Sequence, residues 1–368
     1  MLTRYLFIFL MMNLLPCQAV ALDWIRVAEN NKHFTKVESG KPFVPWGFNY
    51  DHNREGQLLE DYWDDWPTVA ADFAEMKQLG ANVVRVHLQF GKFMVSPTEP
   101  NQQSLNKLVQ LVKLAEETGL YLDLTGLGCY HKQDVPDWYD QLDEQQRWAA
   151  QSVFWEAVAK TCAASPAIFC YDLMNEPVAP GNKPREDWLA GPFHDKYFVQ
   201  FISLSANDRP RHDIAKQWIQ TLTVAIRKHD QRHLITVGLV HWSLDRPGLK
   251  SGFNPKVIAS DLDFLAVHIY PKRENPHEAL ETLAGFAEFG KPVIIEETFP
   301  LKCGIKLHAE FLEKSRQHAA GWIGFYWGKK PEEYRPPKNI AEGATLQWLE
   351  LFQEIGETMT SNPSNLGE

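Results

Sequence analysis

The sequence is short of cysteine, of positive charge and of long apolar runs, and each shortage removes a class of protein. Five cysteines in 368 residues are too few for a disulfide-built scaffold. None forms a C-x-x-C pair, so the commonest zinc-ribbon spacing is missing, and no metal or other cofactor is expected. Lys and Arg number 37 against 47 Asp and Glu, a formal charge of −10, which argues against a nucleic-acid partner because phosphate needs a basic face. Beyond the N-terminus no stretch of 18 apolar residues occurs, so no membrane association is expected for the processed chain. No Gly-rich G-x-G-x-x-G turn follows the first strand. No linker rich in Pro, Gly or Ser divides the chain, and a single domain is expected.

What is present begins with a processing signal. Arg4, the apolar run Tyr5 to Leu15 and Ala19-Val20-Ala21 make the basic, apolar and A-x-A regions of a secretory signal peptide. Residues 1–21 are therefore expected to be removed on export, to the periplasm or outside the cell. The expected organisation is then a catalytic domain over 22–360 and a short polar tail over 361–368. Cys129, Cys162, Cys170 and Cys303 remain in the processed chain. Cys162 and Cys170 are close enough in sequence to close a short loop, but a domain of this size needs no staple and four buried thiols are the simpler reading. A monomer is expected.

Short β-rich runs alternate with amphipathic helices along the whole processed chain. After a β-hairpin around Ile25 to Val37, strands are expected at Phe43–Tyr50, Asn82–Leu88, Tyr121–Leu127, Ile168–Asn175, Leu234–Val240, Phe264–Tyr270, Val293–Thr298 and Trp322–Trp327. Between them, Leu105, Leu108, Val112 and Ala115 fall on one helical face, as do Ile214, Trp218, Leu222 and Ile226. Strands apolar throughout and separated by helices are parallel and covered on both sides. Eight such units predict an α/β fold, a single closed (β/α)8 barrel of the TIM type with a short N-terminal hairpin. An open doubly wound sheet is the alternative.

In such a barrel the active site forms at the C-terminal ends of the strands. Polar residues gather there: Asn49 at the end of strand one, Arg85 and His87 on strand two, Asn175-Glu176 ending strand four, His268 and Tyr270 on strand six, Glu296-Glu297 on strand seven and Trp327 on strand eight. Singly, each has a bland reading as an ion-pair partner or a satisfied core histidine. Together at one end of the barrel they point to a functional centre, since buried charge is costly unless it is paired. Two carboxylates from opposite strands suit glycosidic cleavage, one as acid and the other as nucleophile. The 13 Trp, 11 Tyr and 21 Phe include rings in the catalytic-side loops, among them Tyr62, Trp63, Trp66, Tyr130, Trp138, Tyr139, Trp188, Phe193, Tyr197, Phe198 and Trp242. Flat rings beside acids suit a carbohydrate partner, although about half of them are expected to do no more than pack loops.

Leu173-Met174-Asn175-Glu176-Pro177, His268-Ile269-Tyr270 and Lys291 to Glu297, with Trp46-Gly47-Phe48-Asn49 and Trp327, resemble glycoside hydrolase family 5 of the retaining clan A. The resemblance implies Glu176 as acid/base and Asn175 as a contact to the sugar 2-hydroxyl. It implies Glu297 as nucleophile with Arg85 and Tyr270 as its partners, His268 lining the site and Trp327 as the sugar platform. Glu296 is the rival nucleophile, and strict alternation allows only one of the two to face inward. The implied activity is retaining, cellulase-like or mannanase-like hydrolysis of a β-linked polysaccharide or oligosaccharide. A histidine common in the family at the end of strand three is missing, and His131 is the candidate replacement. A non-hydrolytic sugar-binding barrel and a metal-dependent barrel enzyme such as a sugar isomerase remain the alternatives.

Overall fold

The computed structural model describes residues 22–361. The expected signal peptide and almost all of the expected polar tail lie outside these residues. Eight parallel strands close into a barrel: β1 Trp46–Tyr50, β2 Val83–Gln89, β3 Tyr121–Gly128, β4 Ile168–Asn175, β5 Leu234–Val240, β6 Leu265–His268, β7 Val293–Glu297 and β8 Gly321–Phe325. β8 pairs with β1 from Trp322 opposite Trp46 to Phe325 opposite Asn49, so the sheet has no edge. Helices α1 Trp66–Gln78, α2 Gln102–Thr118, α3 Glu144–Cys162, α4 Arg211–Arg227, α5 Pro255–Ile258, α6 Pro276–Ala287, α7 Ile305–Ser315 and α8 Ile340–Thr360 follow the strands in turn. α5 is a single turn, too short to leave an amphipathic period in the sequence.

Local chemistry sets the helix limits. The Asn101 side chain accepts from the amides of Gln103 and Ser104 to start α2, and Gly119, at φ 69°, ends it in the left-handed region. Asp143 and Gln146 cap each other reciprocally at the start of α3. The apolar faces then bury against the strands. Trp46 of β1 stacks on Phe352 of α8 with ring centroids 4.4 Å apart.

The N-terminal segment corrects one expectation. The hairpin forms, Ile25–Val27 antiparallel to Phe34–Lys36, but Pro42–Phe43, read as the start of the first barrel strand, joins it as a third antiparallel strand. Phe43 pairs opposite Phe34 in this sheet and leaves the first barrel strand to begin at Trp46. Pro45, which has no amide to donate, lies in the break. The sheet seals the lower end of the barrel: Phe34 packs edge-on against Phe169 and Phe264 at 5.1 and 5.2 Å. Cys129, Cys162, Cys170 and Cys303 are all buried free thiols, so the loop-closing disulfide does not form. Among the described residues no helix is long and apolar enough to cross a membrane.

Candidate active site

Two irregularities in the sheet aim the acidic residues. Along β4, Asp172 lies opposite Thr236 but Asn175 lies opposite Gly238, so β4 carries one extra residue just before Asn175-Glu176. Along β7, Ile295 lies opposite Val267 but Glu297 lies opposite His268, leaving Glu296 as the extra residue. Such bulges turn side chains away from simple alternation. The expectation that only one of Glu296 and Glu297 can face inward therefore fails: both join the same interior network. Glu176 itself sits at φ 45°, a rare conformation for a residue with a side chain.

Arg85 is the hub. Its Nη1 donates to Glu297 Oε1 at 2.8 Å and to Asn49 Oδ1 at 2.9 Å. Its Nη2 donates to Asp172 Oδ2 at 2.8 Å and Asn175 Oδ1 at 3.0 Å, and lies 3.4 Å from Glu296 Oε2. Burial works against the guanidinium charge, but Glu296, Asp172 and Glu297 outweigh it and hold its pKa well above the ordinary value. A Cβ at Gly238 would stand 3.1 Å from Arg85, Glu296 and His268 alike, so a glycine on β5 leaves room for the cluster.

His268 is the second cation. Its Nδ1 lies 3.0 Å from Glu176 Oε1 and 3.5 Å from Glu297 Oε2, and its Nε2 lies 3.3 Å from Glu296 Oε2. Burial opposes its charge, yet the three carboxylates raise it to about 10, so it is an imidazolium at neutral pH. Tyr270 donates its hydroxyl to Glu297 Oε2 at 2.7 Å, and burial together with the Glu297 charge keeps that phenol protonated. Two carboxylates thus meet at one ring nitrogen. The two carboxylates therefore flank one point of the cleft floor, as the paired carboxyl groups of glycosidic cleavage must.

Beneath the rim lie three buried carboxylates: Glu296, and Asp123 and Asp172, which the sequence reading overlooked in their apolar strands. Burial and the Glu296 charge raise the pKa of Asp172, but it accepts from Arg85, from the Thr125 hydroxyl at 2.7 Å and from the Gly238 amide at 2.7 Å, and against that rise these donors keep it the anion of the guanidinium. Burial opposes the Glu296 charge, but Arg85 and His268 prevail and lower its pKa. Burial and repulsion from Glu296 push Asp123 far up, so it is a neutral acid. Asp123, Asp172 and Glu296 are close enough to share a metal ion, but the Arg85 guanidinium already stands against two of them. His229 and His233 form an H-x-x-x-H spacing that sequence inspection passed over. It holds no joint site: His233 is buried on Asp230 and His229 faces Glu156.

A cleft of about 1640 Å³ opens above this network, its lining including Glu176, Glu297, Tyr270, His87, Trp327 and Phe198. His87 hydrogen-bonds the Tyr130 hydroxyl at 2.6 Å and Asn49 at 3.1 Å; burial and the Arg85 charge keep it neutral. Trp327 stacks against Phe325 at 5.4 Å, leaving its plane in the cleft wall. Asn49, Arg85, Asn175 and His268 are buried below that lining. Asn49 is tied to the Glu296 and Gly324 carbonyls, so it braces the floor and is not placed to touch a ligand. Trp242 is half-buried away from the cleft, where its neighbour His241 lines the wall instead. His131 makes no contact with the glutamates; it faces His52, and Tyr130 takes the place at the end of β3. Of the loop aromatics, Phe193 and Phe198 reach the cleft, while Trp63, Tyr139 and Trp188 are buried.

Residues 38–331 match the family model described as cellulase (glycosyl hydrolase family 5). The chain is 23% identical over 300 residues to the mannan endo-1,4-beta-mannosidase A of Emericella nidulans, covering 76% of this chain and 63% of that protein. Its fold is similar to that of an exo-beta-1,4-mannosidase from Opitutaceae bacterium strain TAV5, with a TM-score of 0.66 and 17% identity over 92% of this chain and 63% of that one. It is also similar to an endo-1,4-beta-mannanase from Rhizomucor miehei, with a TM-score of 0.60 and 18% identity over 89% and 99% of the two chains. A family match spanning most of the described barrel, and both strand ends that carry the paired glutamates, identifies the chain as a member of glycosyl hydrolase family 5.

Proposed function

We propose that the chain is a retaining glycoside hydrolase of β-linked polysaccharides or their oligosaccharides, with β-mannosides the leading substrate class and β-glucans the next. The observation that carries this reading is the approach of Glu176 and Glu297 to one nitrogen of His268, at 3.0 and 3.5 Å. Glu297, held by Arg85 and Tyr270, attacks the anomeric carbon while Glu176 protonates the departing glycosidic oxygen. The leaving sugar departs as an alcohol and a glycosyl ester on Glu297 remains. Glu176 then takes a proton from water, whose oxygen displaces Glu297, so two inversions give net retention. Trp327 offers the stacking face and His87 a polar patch of wall, while Asn175, tied to Arg85 and the Phe198 carbonyl beside Glu176, is the residue that the family resemblance assigns to the 2-hydroxyl. The mannosidase and mannanase names of the similar proteins favour mannosides. The sequence of residues 1–21 supports export through a signal peptide, with the processed chain acting as a monomer on its carbohydrate.

The test is product release from β-mannans, β-glucans, xylans and their oligosaccharides, with Glu297→Gln in parallel. Turnover of one polymer with retention of anomeric configuration, reduced more than about 1,000-fold in the variant, is the expected result. Inverted product, or full turnover by the variant, overturns the reading.

A further inference from the structure

Away from the glutamates, two more imidazoles meet on the cleft side of the barrel. His52 follows β1 and His131 follows β3, and their Nε2 atoms face each other at 3.2 Å. Each ring also has a carboxylate behind it: Asp51 Oδ2 is 3.0 Å from His52 Nδ1, and Asp134 Oδ2 is 3.5 Å from His131 Nδ1. His52 and Asp51 are buried and line the cleft, while His131 is partly open. Tyr130 and Phe198 flank the His52 ring at 6.0 and 6.2 Å.

This arrangement constrains the protons. A carboxylate behind a neutral imidazole draws the N–H to Nδ1 and leaves the Nε2 lone pair exposed. With both rings in that tautomer, two lone pairs converge from nitrogens 3.2 Å apart, which is repulsive unless both are directed onto one cation. A proton on either Nε2 makes a hydrogen bond across the gap, but in a neutral ring it leaves an Nδ1 lone pair facing that ring's carboxylate. A metal ion keeps both contacts. Tetrahedral bonds of 2.0–2.1 Å to zinc place two nitrogens about 3.3 Å apart, close to the observed gap. A carboxylate behind each ligating imidazole is also the usual outer shell of a histidine metal site.

We propose that His52 and His131 form a two-histidine site for a borderline divalent ion, copper(II) or zinc, on the wall of the cleft. Asp51 and Asp134 orient the rings, and water completes the coordination. Neither histidine is bonded to Glu176 or Glu297, so this site is separable from the catalytic reading and its test does not depend on turnover.

The experiment is titration of the purified protein with copper(II), read by calorimetry and by the electron paramagnetic resonance spectrum of the bound ion. The expected result is one ion per chain with hyperfine structure from two nitrogens. His52→Gln and His131→Gln each lose that signature. Asp134→Asn, which keeps both ligands and changes a half-buried side chain in a short helical turn, weakens binding about 10- to 100-fold. His212→Gln, an exposed histidine elsewhere, leaves binding unchanged. The proposal is overturned if the parent protein binds no ion, or if both ligand variants keep its affinity and spectrum. Should a ligand variant fail to fold, unchanged binding by Asp134→Asn overturns it alone.

Discussion

Replacing His268 by Gln removes the imidazolium that Glu176, Glu296 and Glu297 share, and stability as a function of pH reads out its charge directly. In the folded chain the pKa of His268 stands at about 10, against 6.5 for a free histidine. Between those values the folded state holds a proton that the unfolded state has released, so the unfolding free energy falls as pH rises. The slope approaches about 1.4 kcal/mol per pH unit, and the whole window amounts to roughly 5 kcal/mol. The contribution is complete below pH 6.5 and lost as pH rises through 10. Urea unfolding of parent and variant at one-unit steps from pH 6 to 10 measures it. Groups outside this cluster titrate in both proteins alike, so the difference between the curves reports the ring together with the three carboxylates it holds. The parent should lose stability relative to His268→Gln at every step above pH 6.5. Parallel curves would mean that His268 is neutral, and the charge assignment in the barrel interior would fall.

Arg85→Met leaves Asp172 and Glu296 buried without their shared guanidinium and should cost about 3–5 kcal/mol in urea unfolding; a variant as stable as the parent refutes the hub. Tyr270→Phe removes one 2.7 Å hydrogen bond to the proposed nucleophile. It should lower kcat/KM about 10- to 100-fold, the worth of a bond to a charged group, while the urea midpoint stays nearly constant. A thiol reagent should find Cys129, Cys162, Cys170 and Cys303 unreactive in the folded chain and all four reactive in urea, with no change on prior reduction. Reaction of only two on unfolding would restore the Cys162–Cys170 bridge.

The barrel was legible because its strands are apolar throughout, and β4 and β5 run over the same residues in sequence and structure. What misled was local. Phe43 carries the same apolar pattern as β1 but belongs to the sheet below, and only Pro45 marks the break. His268 ends β6 two residues earlier than the pattern implies, since Tyr270 reaches Glu297 from the following turn. The rim residues Glu176, Tyr270 and Glu297 were readable from their place at strand ends. The register shift that admits Glu296 beside Glu297 was not, since a bulge leaves no periodic mark. Asp123 and Asp172 did leave a signal, a carboxylate inside an apolar strand, and buried charge of that kind calls for a partner such as Arg85. The His52–His131 pair is 79 residues apart in sequence, and only the closed sheet brings it together.

The interior charges explain why so polar a core is tolerable. Arg85 and His268 are cations, Asp172 and Glu296 are anions, and Asp123 is neutral. The buried set is therefore balanced without Glu297, which stands at the rim with its side chain 13% exposed. That separation matters to the proposed chemistry, because Glu297 loses its charge each time it becomes a glycosyl ester. A nucleophile needed to neutralise the interior would leave a buried cation unpaired in that intermediate, a penalty of several kcal/mol. Glu297→Gln imitates the charge of the ester and keeps the side chain's size. It should abolish turnover and cost less stability at pH 7 than Arg85→Met, because it takes one charge partner from Arg85 and His268 and leaves Asp172 and Glu296 in place. A loss as large as that of Arg85→Met would show that the interior depends on the Glu297 charge, and the rim and the core would then have to be treated as one ionic unit.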